Sequence, residues 1–341
     1  VKLIIQIPCY NEGATLSIAL SALPRTVRGF DEVEWLIVND GSTDDTVEVA
    51  RRCGVKHVVS FKRNLGLARA YMAGLRASVE AGADVIVNTD ADNQYSAADI
   101  PALVAPILAG KADIVVGARP IKTIQHFSLL KKALQGLGSR VVRGVSGTAV
   151  EDAPSGFRAV SREAAMRLHV FNDYTYTLET IIQAGRKNMV IASVPVRVNE
   201  DIRPSRLVKS LPSYIKKSVF TMLRIFVVYR PFRFFMAVGG MVFAVGTLVG
   251  LRFLVFLIFG GGGGGHVQSL ILAAILLGIG FQTILTAFLA DLLAVNRTLL
   301  EEIEYHTLRN ADVRLARVAS SPRRSAVRAP AGKRRRSPKI P

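Results

Sequence analysis

Trp35-Leu36-Ile37-Val38-Asn39-Asp40-Gly41-Ser42-Thr43-Asp44-Asp45-Thr46 is the stretch on which the fold turns. It opens as an apolar run, the pattern of a strand buried on both faces, and continues with residues that favour turns and helix starts. A helical period then carries on to Arg52, so the unit reads strand, loop, helix. The same unit recurs on either side of it. Leu3–Ile7, Val55–Ser60, Val85–Thr89 and Ile114–Val116 read as further buried strands. Amphipathic helical stretches fall between them at Thr15–Val27, Thr43–Arg52, Leu67–Ala81 and Ala97–Leu108. This alternation predicts an α/β fold with a mostly parallel, doubly wound sheet and helices on both faces. Ligands of such sheets bind outside the carboxyl ends of the strands, where strand order reverses.

The loops at those ends are acidic. Pro8-Cys9-Tyr10-Asn11-Glu12-Gly13 follows the first strand, Asn39-Asp40-Gly41-Ser42-Thr43-Asp44-Asp45-Thr46 the second, and Thr89-Asp90-Ala91-Asp92-Asn93-Gln94 the fourth. Asp90 and Asp92, one residue apart on a turn, are able to reach a single hard divalent cation, which prefers oxygen ligands. Such a cation neutralises a diphosphate and stabilises its departure. An Asp-x-Asp turn alone is common on protein surfaces, and Ser42, Thr43 and Asp44 also suit a helix cap. Three acidic loops on one rim are what make the functional reading the stronger one.

Taken in order, Ile7-Pro8-Cys9-Tyr10-Asn11-Glu12, Val38-Asn39-Asp40-Gly41-Ser42-Thr43-Asp44 and Asp90-Ala91-Asp92-Asn93-Gln94 resemble the signature set of family 2 glycosyltransferases, which have the Rossmann-like GT-A fold. Asp152-Ala153-Pro154-Ser155-Gly156-Phe157-Arg158 and Gly117-Ala118-Arg119 resemble the dolichol-phosphate mannose synthase and polyprenyl-phosphate glycosyltransferase branch. The resemblance spans about residues 1–300 and is specific because several motifs match in order. It implies inverting transfer from a UDP- or GDP-sugar with Mg²⁺ or Mn²⁺. Pro8, Tyr10, Asn11, Glu12 and Asp40 are then expected at the nucleotide, with Asn64, Gly66, Asp90 and Ala91. Asp90, Asp92 and Gln94 are expected at the metal, and Asp92 and Asp152 at the catalytic centre. Asn39 stands where an acidic residue is common, which leaves Asp40 as the main carboxylate of its loop. Gly66 suits either a close approach to the nucleotide or the geometry of a helix start.

An acceptor phosphate alters the role of Asp152. The second pKa of a phosphate monoester is about 6, so its attacking oxygen is already ionised at neutral pH. Asp152 is therefore expected to orient a sugar or acceptor, with proton abstraction secondary. Two anions meeting also require protein cations. The resemblance implies that Arg119, Arg140 and Arg206 hold the lipid phosphate, for which the planar arginine fork is suited.

Half of the 341 residues are apolar, and the excess is concentrated toward the C-terminus. Phe234–Phe259, interrupted only by Arg252, and Val267–Leu289 each meet the length of about 20 residues that a membrane span needs. The glycine run 260–265 between them makes a hairpin. Basic residues on both flanks, including Lys216, Lys217, Arg230, Arg233 and Arg297, place those flanks in the cytoplasm by the positive-inside rule. Arg252 is expected to reach an interface, making Phe253–Phe259 an interfacial segment. Gly246 and Gly250 suit packing of the spans together or against a second subunit of a homo-oligomer. Leu207–Tyr229 reads as an amphipathic segment on the inner leaflet. The expected organisation is a catalytic domain over 1–205, a juxtamembrane segment over 206–233, a hairpin over 234–295 and a basic, largely disordered tail over 296–341.

From Arg309 onward there are eleven Lys or Arg residues and one Asp, a large part of the formal net charge of +18. Beside two spans, Lys333-Arg334-Arg335-Arg336 reads as attraction to anionic lipid rather than to nucleic acid. Cys9 and Cys53, the only cysteines, make no disulfide framework and fit a reducing compartment. The run Leu3–Ile7 is too short for a signal peptide. His57, His126, His169 and His306 have no metal-ligand spacing. The expected function is transfer of a hexose to a polyprenyl phosphate at the cytoplasmic face of the cell membrane. Two rivals stand beside it. A polysaccharide synthase typically carries Gln-x-x-Arg-Trp, whereas the single tryptophan here is Trp35, in a strand. An inactive membrane-bound nucleotide-sugar-binding protein is disfavoured by Asp40, Asp90, Asp92 and Asp152 occurring together.

Overall fold

The computed structural model describes residues 1–120, 143, 144, 146–148, 150–170, 176–199, 220, 224, 227–259 and 267–320. Seven strands form one sheet: β1 (Lys2–Cys9), β2 (Glu32–Asn39), β3 (His57–Ser60), β4 (Val85–Asn88), β5 (Ile114–Ala118), β6 (Arg158–Ser161) and β7 (Ile191–Pro195), in the order β3-β2-β1-β4-β6-β5-β7. β1 pairs in parallel with β2 on one side and β4 on the other, and β2 with β3. The chain builds outward from β1 to β3 and then returns across it to β4. The switch point thus lies between β1 and β4, at two of the acidic loops.

Helices α1 (Gly13–Ala22), α2 (Thr46–Arg52), α3 (Leu67–Glu80) and α4 (Ile100–Leu108) link these strands, with a 3₁₀ turn at Ala97–Asp99. α1 stops well before Val27, because Pro24 pushes Leu23 to an extended backbone, ψ 138. The two-residue period of a strand divides the core. Leu3, Ile5 and Ile7 pack with Leu16, Leu20, Val49 and Leu103, whereas Ile4, Leu36 and Val38 pack with Tyr71, Leu75, Ala165 and Ile181.

β6 and β7 are absent from the sequence-based expectation. β6 is four residues long, begins with Arg158, and inserts antiparallel between β4 and β5. Sequence periodicity misses it because it is short and led by a charge. β7 pairs in parallel with β5 at the sheet edge, only partly buried. α5 (Arg162–Arg167) follows β6, and α6 (Thr177–Arg186) precedes β7.

Two long helices complete the described chain, α7 (Pro231–Phe259) and α8 (Val267–Ser320). Both are long and apolar enough to cross a membrane, with mean hydropathy 2.4 and 2.2 over their most apolar windows. α7 runs unbroken through Arg252, whose guanidinium lies 5.7 Å from the centroid of Phe256. The helices pack antiparallel through glycine. A Cβ on Gly246 would sit 2.9 Å from Leu277 N, and one on Gly280 2.6 Å from Phe243 N. Gly246 therefore packs the hairpin itself, with Gly250 facing Ala273.

α8 corrects one expectation. Instead of ending near residue 293 and giving way to a disordered tail, it continues to Ser320. The residues beyond 293 are rich in Leu, Glu, Arg and Ala, all good helix formers. They also dock on the sheet domain. Glu301 pairs with Lys187 at 2.8 Å, Glu304 with Arg76 at 2.6 Å, and the Tyr305 hydroxyl donates to Glu163 at 2.8 Å. Tyr229, just before α7, reaches the same face, donating to Glu179 at 2.6 Å while Arg297 covers its ring at 4.6 Å. Arg140, Arg206, the glycine run, His126, Leu207–Tyr229 apart from residues 220, 224 and 227–229, and the cluster 333–336 lie outside the described residues.

Candidate active site

The first two acidic loops are laced together by backbone donors. Asn11, with φ 54, accepts the Thr43 N–H on its Oδ1 at 2.8 Å, and its own N–H donates to the Ser42 hydroxyl at 2.9 Å. The Glu12 N–H donates to the Thr46 hydroxyl at 2.9 Å and the Gly13 N–H to Asp44 at 2.9 Å. Asp44 also accepts from the Thr46 N–H at 3.1 Å, but the N-cap of the following helix is Asp45, which makes no side-chain cap bond, so none of Ser42, Thr43 and Asp44 is the cap. Tyr10 projects outward, 43% exposed, beside the end of β1. An exposed aromatic on a rigid loop is suited to stacking on a flat ligand.

Asp40 is buried, and its two oxygens accept the N–H groups of Leu65 (2.7 Å) and Gly66 (3.0 Å). Gly41 lets the loops meet: its φ is +71 and a Cβ there would sit 2.6 Å from Asn64 N. Gly66, at φ +97 in front of α3, occupies backbone space that only glycine enters readily. The structure thus gives Asp40 and Gly66 a shared task, holding the Asn64 loop against the end of β2. Asn64 itself is exposed.

Asp90 follows β4 after Thr89, with Asp92 two residues on; Ala91 between them is buried in the core cluster that holds Leu16 and Leu20 of α1 and Leu103 of α4. The Asp90 carboxyl is pushed up to about 7, first by burial and next by the charge of Asp92, while Arg119 and Arg158 pull the other way. Two acids share a partly dry place and want positive charge. A Cβ on Gly156 would lie 3.1 Å from Asp90 Oδ2, so a glycine keeps that face of the carboxylate clear. Among the described residues no group of three or more His, Cys, Asp or Glu side chains is placed to hold a metal ion. Two carboxylates fit a cation that takes its other ligands from phosphates and water, the habit of Mg²⁺. The Gln94 N–H donates to Asp92 Oδ1 at 3.2 Å.

Arg119 and Asp152 form one unit. Arg119 Nε donates to Asp152 Oδ2 at 2.7 Å, Nη2 to Oδ1 at 3.1 Å, and the Arg119 backbone N–H to Oδ2 at 3.2 Å. The pair is buried, the side chains 10% and 1% exposed. Burial lowers the guanidinium pKa, but Tyr95 and Asp152 outweigh it and hold Arg119 above its ordinary value. Sequence reading singled out both residues and missed that they bind each other.

A polar layer beneath the site was also missed. Asn88 Nδ2 donates to Gly156 O and to the Tyr176 hydroxyl, both at 2.9 Å, and its Oδ1 accepts from Gln6 at 3.0 Å. Tyr176 stacks on Tyr71 at 3.8 Å. Arg158, fully buried, donates to Thr180 Oγ1 at 2.6 Å, to Thr177 O at 3.2 Å and to Ser155 O. Charged and amide residues inside otherwise apolar strands, Gln6, Asn88 and Arg158, were the available signal.

Residues 4–168 match the family described as glycosyl transferase family 2. The UDP-N-acetylglucosamine--dolichyl-phosphate N-acetylglucosaminyltransferase of Methanococcus voltae is 30% identical over 216 residues, 56% of this chain and 83% of that protein. The polyprenol monophosphomannose synthase of Mycolicibacterium smegmatis is 25% identical over 230 residues, covering 64% of this chain and 84% of its own. The undecaprenyl-phosphate mannosyltransferase of Micrococcus luteus is 28% identical over 200 residues, covering 56% and 80%. Among solved structures, glucosyl-3-phosphoglycerate synthase from Mycobacterium tuberculosis, in complex with Mn²⁺, UDP and glucosyl-3-phosphoglycerate, superposes with a TM-score of 0.51 at 21% identity. That superposition covers 66% of this chain and 78% of the synthase, and it shows a shared GT-A fold.

Proposed function

The chain belongs to glycosyl transferase family 2, and from that premise we propose that it moves a hexose, with inversion, from a UDP- or GDP-sugar to a polyprenyl phosphate at the cytoplasmic face of a membrane. The observation that carries this reading is the meeting of an acidic pair, Asp90 and Asp92, with a buried arginine–carboxylate unit on a sheet domain that two long apolar helices dock against. The acceptors named for the three relatives support the lipid phosphate.

In this reading Pro8, Tyr10, Asn11 and Glu12 line the nucleotide with the Asp40–Asn64–Gly66 loop pair. Asp90 and Asp92, helped by Gln94, hold Mg²⁺ or Mn²⁺, which when bound supplies the charge that lets a nucleoside diphosphate leave. Arg119 presents its fork to phosphate oxygens, and Asp152 fixes the direction in which it points. Both oxygens of Asp152 face Arg119, which favours positioning over proton abstraction, and an ionised acceptor phosphate needs no strong base. Arg140 and Arg206 complete the phosphate site. α7 and α8 span the bilayer, with both flanks in the cytoplasm by charge.

The test is a screen of nucleotide-sugars against the purified full-length protein with undecaprenyl phosphate and Mn²⁺. Labelled sugar in an organic-extractable, mild-acid-labile lipid is the expected product. A polymer would identify a synthase instead, and no transfer from any donor a binding protein.

A further inference from the structure

Asp90 and Asp92 are held by different means. Asp90 lies two residues past the end of β4, next to Thr89, whose N–H still donates to Gln6 O of β1 at 3.1 Å. Asp92 lies beyond it, on a turn whose next residue, Asn93, has φ 55. Within the turn, the Gln94 N–H reaches Asp92 Oδ1 at 3.2 Å. The outer side of the turn rests on the short segment after β7. Asn199 Nδ2 donates to Asn93 O at 2.8 Å and to Tyr95 O at 3.4 Å, and the Asn199 N–H donates to Gln94 O at 2.8 Å. Three successive carbonyls of the turn are therefore held by one residue. Val198 pairs antiparallel with Tyr95, and the Ser96 N–H donates to Arg197 O at 3.2 Å. Arg197 anchors the strap on Asp99, through Nε at 3.0 Å, Nη2 at 2.6 Å and its backbone N–H at 2.7 Å.

We propose that Asn199 is a positioning residue that fixes the Asp92 turn for a divalent cation, acting through backbone carbonyls. Cation sites need their ligands within about 0.5 Å of the productive geometry. A left-handed Asn93 gives the turn an easy way to relax once its outer bonds are gone. The inference rests on the cation reading of Asp90 and Asp92 and deepens it.

The experiment is Mn²⁺ binding to the full-length protein in detergent, without donor, read from the electron paramagnetic resonance of free aqueous Mn²⁺. Asn199→Ala is expected to raise the Mn²⁺ Kd about tenfold, the scale seen when outer-shell partners of metal ligands are removed. Asn199→Asp, nearly the same shape but unable to donate to carbonyls, is expected to bind at least as weakly. Both variants should keep the wild-type thermal midpoint without metal, since Asn199 is exposed. An unchanged Kd in both would overturn the inference, and so would weakening matched by an equal loss of metal-free stability. A wild type that binds no Mn²⁺ would remove the cation reading, and with it this inference, so the two failures read apart.

Discussion

Asp92 and Asp152 differ in what their loss should do, although both are carboxylates of one site. Asp92 is half-buried and accepts the Gln94 N–H at 3.2 Å from within its own turn. Asp92→Asn should leave the fold intact and lower transfer by about 10²–10³-fold, the scale of losing one preorganised electrostatic contact. Wild-type rates with metal still required would remove Asp92 from the cation site. Asp152 has a structural task of its own, because it neutralises a guanidinium that is 10% exposed. Breaking a buried pair by deleting one partner costs about 3–5 kcal/mol. Asp152→Asn and Arg119→Met should each show a loss of that order in denaturant unfolding, and the double variant less than their sum. Additive losses would mean that the two do not act as a pair. At this scale the motif residues were legible because turns demand particular types: Asn11 and Asn93 at positive φ, Gly41 and Gly66 where a side chain will not fit. The pairing of Arg119 with Asp152 was not, since the partners stand 33 residues apart.

Among the elements, β1, β2 and β4 were read correctly because each is an apolar run followed by turn chemistry. β6 and β7 escaped because tertiary pairing, not local preference, makes them strands. The α7–α8 contact was foreseen as a hairpin, and its glycines now have distinct roles. A Cβ on Gly280 would meet Phe243 N at 2.6 Å, whereas one on Gly278 would meet nothing within 4 Å. Gly280→Val should therefore force the helices apart, a cost of about 1–3 kcal/mol for overpacking. Gly278→Val should be close to neutral. Thermal midpoints of the two variants in detergent check this, and equal midpoints would count against the packing.

For the whole molecule, the hairpin does more than pack on itself. α8 leaves its apolar stretch and returns to α3, α5 and α6 through Glu301, Glu304 and Tyr305, and Tyr229 enters the same face ahead of α7. Glu301 is 6% exposed and lies between Lys187 and Arg297. Glu301→Ala leaves that cluster short of its acid and should undock α8 locally. Hydrogen exchange should then speed up in α8 around residues 297–305 and in α6, with β1 and β4 unchanged. Unchanged protection in α8 would show that the ion pair does not hold the helix to the domain.

By itself the sequence determined what is local: which runs are strands, which loops must turn, where acids crowd one rim, and which two stretches are long and apolar enough to cross a membrane. Those properties follow from the preferences of near neighbours and from helical or strand period. Only the tertiary structure decided what meets across the chain. β6, inserted antiparallel between β4 and β5, carries the 152–156 loop to Asp90 and Arg119. Asn199 reaches the Asp92 turn across 106 positions and Tyr305 reaches Glu163 across 142. Such contacts depend on how layers stack and where the chain reverses, and residue type at either end leaves both open.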